Sequence, residues 1–475
     1  MERMSWLDSM FLRLENDRQQ MAVGAALTFD GPMPSYREVL EAVAGKLPAV
    51  PRYRQRVHTP PLGVGRPVWV DDPHFSLRYH VRHTALPAPG TQEQLLTTAG
   101  RIFSLRLDRD RPLWEMWLVE GLGDGGWALL SKTHHAMVDG VAGVDLAGLL
   151  LDPQPTPARP RVIPADDQPV GTDTDWAAEG SPSTLDVVRV TVQGSATDLA
   201  HGAVAFGRTL ARPADAAKLV AGVAYGAARL GGRLASPHVS ELTGPLSPHR
   251  RWAWARMSIR EVKTVRQAFG GTLNDVVLTA VTGGFRALLQ SRGIAVDGRV
   301  VRTMVPVNTR TEPDPAGPRN AVSALFVDLP VGEADPVACL EDLTRTLQAA
   351  KTSGMAEVIT GAFALADVPP PALLDAATTW IGQYGWQDRV STVTTNVPGP
   401  RIPLYFAGRR LQEMFPYIPL GMSVRIIIGI MSYDGRLALG ITGDLDAAPD
   451  VDVLARGVED TMAALIAAAQ DRRTE

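Results

Sequence analysis

Two adjacent histidines, followed four residues later by an aspartate and a glycine, carry the most chemically suggestive pattern in this chain: His134-His135-Ala136-Met137-Val138-Asp139-Gly140. A neutral imidazole is the side chain best suited to accept a proton near pH 7, and a nearby carboxylate can orient an imidazole or organise the turn around it. Gly140 suits a position where the backbone needs positive φ or close approach. Residues 127–133 are apolar and β-tolerant, while 141–151 space their apolar residues helically. The motif is therefore predicted on a turn from a buried strand into a helix. The bland alternatives are a histidine that is merely hydrogen-bonded and a His-x-x-x-Asp pair of metal ligands. The metal alternative still needs a third donor, and the single cysteine, Cys339, lies in a segment that reads as a structural helix. No metal is expected.

The elements needed to position this motif read as an α/β unit. A strand is predicted over 21–29, and Ser35-Tyr-Arg-Glu38 is a capping box opening a helix with Val39, Leu40, Val43 and Leu47 on its apolar face. Phe75, Leu77, Tyr79 and Val81 alternate with polar residues, the period of a half-buried strand. A helix follows near 92–103, then strands over 114–120 and 127–133, the second delivering His135. In Pro112-Leu113-Trp114 the indole most simply anchors a strand start by burial. Residues 152–184 hold seven prolines among acidic and small residues and read as a linker or mobile loop. An Ala/Gly-rich stretch over 184–235 carries a stripe at Leu219, Val223, Ala227, Leu230 and Leu234, flanked by Lys218 and Arg229. It reads as a packing helix in preference to a membrane-surface helix, because the stripe is rich in small residues and lacks tryptophan or phenylalanine anchors.

A second α/β unit begins at Arg251. A short strand is predicted over 256–259, and Thr272-Leu-Asn274-Asp275 starts a helix with Val277, Val281, Phe285 and Leu288 on its core face. Strands are expected over 301–307, 322–329 and 390–396, and helices near 336–351, 357–365 and 371–381. Residues 424–442 form a hairpin whose Asp434-Gly435 suits a type I′ turn, and Pro449-Asp450 opens a last helix. Asparagine and aspartate at a helix start are commonly caps, and Pro398-Gly399-Pro400 by itself indicates only a rigid turn.

At 475 residues the chain exceeds one ordinary core, so more than one domain is expected. Hydrophobic residues at 45% and charged residues at 21% exclude wholesale disorder, and a net charge of −4 gives no reason to expect nucleic acid. One cysteine excludes an internal disulfide framework and is compatible with a reducing cytoplasm. Glu2, Arg3 and Asp8 interrupt any secretory leader, and the longest apolar runs are strand-sized, so contact with lipid is expected only at a surface.

His-His-x-x-x-Asp-Gly is the signature of the CoA-dependent acyltransferase superfamily. Pro112-Leu113-Trp114, Asn274-Asp275, Val305-Pro306-Val307-Asn308-Thr309-Arg310 and Asn396-Val397-Pro398-Gly399-Pro400, in this order, resemble motifs of the bacterial wax ester synthase/diacylglycerol acyltransferase family. The opening segment from Ser5 to Glu15 and the closing segment from Gly443 to Asp450 are similar as well. The resemblance spans nearly the whole chain. It implies two chloramphenicol acetyltransferase-like domains around a central substrate channel: an N-terminal domain over 1–151, a linker and helical connector over 152–250, and a C-terminal domain over 251–475.

It further implies that His135 is the general base for transfer of a long acyl chain from acyl-CoA to diacylglycerol or a long-chain alcohol, with acyl-CoA as co-substrate and no other cofactor. His134 would support the turn. Asp139 would be a structural carboxylate, with Arg310 as its partner. Asn274 would stabilise the oxyanion, with Asp275 beside it. Asn396, Pro398 and Gly399 would shape the channel or a domain crossover. A cytoplasmic enzyme touching the membrane or lipid inclusions peripherally fits such substrates. The seven-residue motif alone equally admits an amine or carrier-bound acceptor, and a non-catalytic lipid-binding module is the remaining class. No Gly-x-Ser-x-Gly nucleophile elbow competes with direct transfer.

Overall fold

The computed structural model describes residues 1–60, 65–137, 150–155, 186–187, 189–190, 193–194, 238–308, 322–352 and 389–474. In chain order the first half contains β1 (Glu2–Arg3), α1 (Trp6–Leu14), β2 (Ala22–Phe29), α2 (Tyr36–Lys46), β3 (Gln55–His58), β4 (Val68–Asp71), α3 (Leu77–His80), β5 (Val81–Ala85), α4 (Gln92–Ser104), β6 (Trp114–Glu120) and β7 (Trp127–His134). The second half contains β8 (Arg250–Ser258), α5 (Ile259–Phe269), α6 (Leu273–Ser291), β9 (Val301–Asn308), β10 (Val322–Leu329), α7 (Pro336–Thr352), β11 (Thr392–Val397), β12 (Tyr405–Phe406), β13 (Arg409–Tyr417), β14 (Ile426–Tyr433), β15 (Arg436–Asp444) and α8 (Val451–Thr474).

Among the described residues these strands build two six-stranded sheets, ordered β12-β13-β2-β7-β6-β5 and β10-β9-β11-β14-β15-β8, and a small sheet β1-β4-β3. Local chemistry explains many of the boundaries. Ser35 and Glu38 cap α2 reciprocally, as do Thr91 and Gln94 on α4, Ser258 and Glu261 on α5, and Thr272 and Asp275 on α6. Asp434 and Gly435 turn β14 into β15 with φ of 42° and 82°, the two positive values that a type I′ hairpin demands. Val277, Val281, Phe285 and Leu288 are fully buried in the core that α6 shares with α7, α8 and the second sheet.

Two expectations are corrected, and one strand pairing was not foreseen. Residues 75–81 do not form a strand: α3 places Leu77 and His80 inward three apart, and β5 begins only at Val81. The strand expected over 256–259 is β8, which begins at Arg250 and ends at Ser258, with Ile259 opening α5. Its charged start misled because Arg250 is 4% exposed and spends its donors on the carbonyls of Ser247, His249 and Arg18. Finally, β13 lies in the stretch assigned to the C-terminal half but pairs antiparallel with β2, Tyr417 opposite Gly24 and Met414 opposite Leu27. It therefore belongs to the first sheet.

The expected 141–151 helix (apart from residues 150 and 151), nearly all of the proline-rich 152–184 segment, the Leu219–Leu234 stripe and the helices near 357–365 and 371–381 lie outside the described residues. Among the described residues no helix is long and apolar enough to cross a membrane.

Candidate active site

β7 is buried along its whole length and ends at His134, and His135 opens a single 3-10 turn. Main-chain bonds from both neighbours fix the pair. The His134 N–H donates to Leu113 O at 2.9 Å, and the His135 N–H donates to Met21 O at 2.7 Å. The Pro112-Leu113-Trp114 segment thus meets the histidines directly. Pro112 is buried, and Trp114 is 3% exposed, with Nε1 donating to Tyr53 O at 2.8 Å and its ring stacked on His80 at 4.6 Å. The expected anchoring role of the indole is what the packing provides.

His134 has no exposed surface. Its Nδ1 accepts the Ala136 N–H at 3.0 Å, which leaves the proton of the neutral ring on Nε2, facing Glu15 Oε1 at 3.6 Å. That distance is too long for a hydrogen bond. Burial outweighs the pull of the carboxylate and lowers the His134 pKa to about 4, so the ring is neutral. Glu15 is held by Arg109, from Nη2 at 2.9 Å and Nε at 3.2 Å.

His135 is half-buried, but its Nδ1 is fully enclosed and has no hydrogen-bond partner among the described residues. Burial lowers its pKa below the ordinary histidine range, partly opposed by its own backbone carbonyl, so it is a free base at neutral pH. The ring of Phe11 lies on it, centroids 3.9 Å apart and planes at 26°.

A second set of candidates meets on the other sheet. Asn396, exposed near the end of β11, approaches Asn274 Oδ1 with its Nδ2 at 3.4 Å, a long contact. Asp275 is 3% exposed and bound to the N-cap: its Oδ2 accepts the Thr272 N–H at 2.9 Å and its Oδ1 the Thr272 hydroxyl at 2.6 Å. Pro398 is exposed, and the Gly399 N–H donates to Ser432 Oγ at 3.0 Å, tying the turn after β11 to β14. Asp139, Gly140 and Arg310 lie outside the described residues. Among the described residues, no group of three His, Cys, Asp or Glu side chains could hold a metal ion.

Two family models match the sequence: the wax ester synthase/diacylglycerol acyltransferase catalytic domain over residues 4–277, and the C-terminal domain of the same family over 319–466. The chain belongs to this family. A probable diacylglycerol O-acyltransferase of Mycobacterium tuberculosis is 34% identical to it, over 100% of this chain and 97% of the relative. A putative diacylglycerol O-acyltransferase of the same species is 33% identical, over 99% and 91%. Among solved structures, the wax ester synthase/diacylglycerol acyltransferase of Marinobacter aquaeolei superposes with a TM-score of 0.69 at 24% identity, covering 99% of this chain and 100% of that one. The first condensation domain of a calcium-dependent antibiotic synthetase superposes with 0.57 at 16%, covering 99% and 96%. These likenesses establish the two-domain acetyltransferase-like fold.

In this wax ester synthase/diacylglycerol acyltransferase chain, sequence reasoning missed the partners that α1 supplies. Phe11 and Glu15 are four residues apart, the spacing that puts two side chains on one helical face. That spacing was the available signal. It says nothing about the histidines some 120 residues later in the chain.

Proposed function

We propose that the protein transfers a long-chain acyl group from acyl-CoA to the hydroxyl of a lipid alcohol, diacylglycerol or a long-chain fatty alcohol, with His135 as the general base. The observation that carries this reading is the His135 imidazole: half-buried beside the last residue of a buried strand, and unprotonated at neutral pH because burial lowers its pKa. A neutral imidazole takes the acceptor's hydroxyl proton as the oxygen attacks the thioester carbonyl carbon, forming the new C–O bond. The tetrahedral intermediate collapses, the C–S bond breaks, and the imidazolium returns the proton to the CoA sulfur. No acyl-enzyme forms, and the histidine ends as it began.

His134, neutral and bound to the Ala136 N–H, shapes the turn and does not react. Asn274 is the candidate oxyanion donor. A donor of this kind typically contributes ~10²–10³ in rate. Asp139 and Arg310 are assigned a structural pairing that keeps the turn in place. Acyl-CoA is the co-substrate, and the chemistry asks for no metal.

The test offers radiolabelled palmitoyl-CoA to the purified protein together with hexadecanol, diacylglycerol or hexadecylamine, and resolves the products by thin-layer chromatography. Ester from one or both alcohols is expected, and His135→Ala should lower the rate by ~10²–10⁴ while retaining its melting temperature. Amide as the sole product overturns the acceptor assignment. Near-wild-type turnover by folded His135→Ala overturns the mechanism.

A further inference from the structure

The main chain of His135 is fixed at Met21, whereas among the described residues no other residue gives its enclosed Nδ1 a hydrogen-bond partner. Rotation about the Cβ–Cγ bond of histidine is broad unless packing restricts it. Among the described residues, the aromatic face of Phe11 stacks on this ring, centroids 3.9 Å apart. Phe11 is itself well placed. Ser5 caps the start of α1 by accepting the Asp8 N–H at 3.1 Å. At the other end Glu15, whose side chain is 1% exposed, accepts Arg109 at 2.9 Å, and the same guanidinium donates to Leu12 O at 2.7 Å. Arg106 approaches Glu15 at 3.6 Å and binds Asp17 at 3.0 Å. A buried carboxylate with two arginines thus locks the helix that carries the aromatic ring.

We propose that Phe11 is a positioning residue for His135, and that its ring, held by the Glu15-anchored helix α1, fixes the plane in which the imidazole meets the acceptor hydroxyl. The inference rests on His135 being the base. A base misplaced by about 1 Å can forfeit ~10² in rate, whereas loss of packing alone changes stability and not the pH response of the reaction.

The experiment compares Phe11→Tyr, which keeps the ring, with Phe11→Leu, which keeps apolar bulk without a plane, alongside His135→Ala. Phe11→Met is a second ringless variant should leucine lower the folding yield. For the leucine variant, kcat is expected to fall about tenfold or more with KM nearly unchanged. The acid limb of its kcat/KM profile should move to higher pH, because water reaching the imidazole face relieves the desolvation that lowers the pKa. Phe11→Tyr should restore most of kcat and the original limb. Wild-type kcat and pH profile in Phe11→Leu, or an equal fall in the tyrosine and leucine variants, overturns the positioning role. With His135→Ala inactive, that outcome leaves the base assignment intact; with His135→Ala active, the base assignment itself fails.

Discussion

Lowering the pH from 7.5 to 5 charges imidazoles that the folded protein keeps neutral, and the cost can be worked from two of them. His80 is 1% exposed, its Nδ1 bonded to Trp114 O at 2.8 Å and its ring stacked between Phe75 and Trp114; His134 has no exposed surface and presents Nδ1 to the Ala136 N–H. Burial lowers both pKa values from 6.5 to about 4. The unfolded chain therefore binds protons below pH 6.5 that the folded chain refuses until about pH 4. Stability is intact above 6.5, falls by about 1.4 kcal/mol per pH unit for each histidine across that window, and levels off below it.

At pH 5 the two together cost about 4 kcal/mol, a large part of a typical ~5–15 kcal/mol stability. His135, lowered in the same direction, adds to the loss. Carboxylates held low by neighbouring hydrogen bonds, Glu38, Glu241 and Asp450, have ordinary pKa values of 4.5 and 3.8 and lose their contribution only below that range. The assay is urea unfolding followed by tryptophan fluorescence at pH 7.5, 6.5, 5.5 and 5.0, on wild type and His134→Asn. Asparagine offers an oxygen to the Ala136 N–H but cannot be protonated, so the variant should lose about 2 kcal/mol less than wild type between pH 7.5 and 5. Equal losses in the two proteins, or a wild type whose stability does not change across the window, would refute the reasoning.

Two further outcomes test the packing. A Cβ on Gly440 would collide with the Pro416 carbonyl oxygen and come within 3.1 Å of Trp252 Nε1; Gly440→Ala should cost about 3 kcal/mol or more and lower the melting temperature, and an unchanged melt would contradict the close approach of β13 to β15. Thr272→Ala removes the cap of α6 and a partner of buried Asp275, and should shift the urea midpoint by an amount equivalent to about 1–2 kcal/mol.

What was legible in the sequence was local. Ser35 to Glu38, Thr272 to Asp275 and Asp434-Gly435 each specify geometry through neighbours three residues apart or fewer, and each sits where such chemistry belongs. The histidine pair was legible for the same reason, as the end of one apolar strand. What escaped notice depends on distant chain. The sequence of β13, Arg-Arg-Leu-Gln-Glu-Met-Phe-Pro-Tyr, carries three charges and a proline, and only its pairing with β2, almost 400 residues away, makes it a strand. Lys132 is charged in the middle of β7 yet has no exposed surface, because Ile102 O at 2.8 Å and Leu105 O at 2.5 Å, beyond the last turn of α4, receive its ammonium. Glu15 and Phe11 escaped for the same reason: the residues that make them informative are not their neighbours.

The crossover has a mechanical consequence for the proposed reaction. β2 lies between β7, which carries the histidines, and β13, which arrives from the second half of the chain. Tyr417 on β13 stacks on Phe103 of α4 at 3.8 Å, and Trp252 of β8 packs edge-on against both rings. Trp254 of β8 stacks on Phe415 at 3.8 Å. Aromatic contacts of this kind contribute ~0.5–1.5 kcal/mol each beyond the area they bury, so parting the sheets would forfeit several at once. Transfer between two substrates requires the base and the oxyanion donor to keep their separation while acyl-CoA and acceptor come and go. His135 rides on the first sheet, whereas Asn274 and Asn396 ride on the second and its helix. A buried aromatic seam supplies that fixed separation, while loop contacts alone would let the two sets drift.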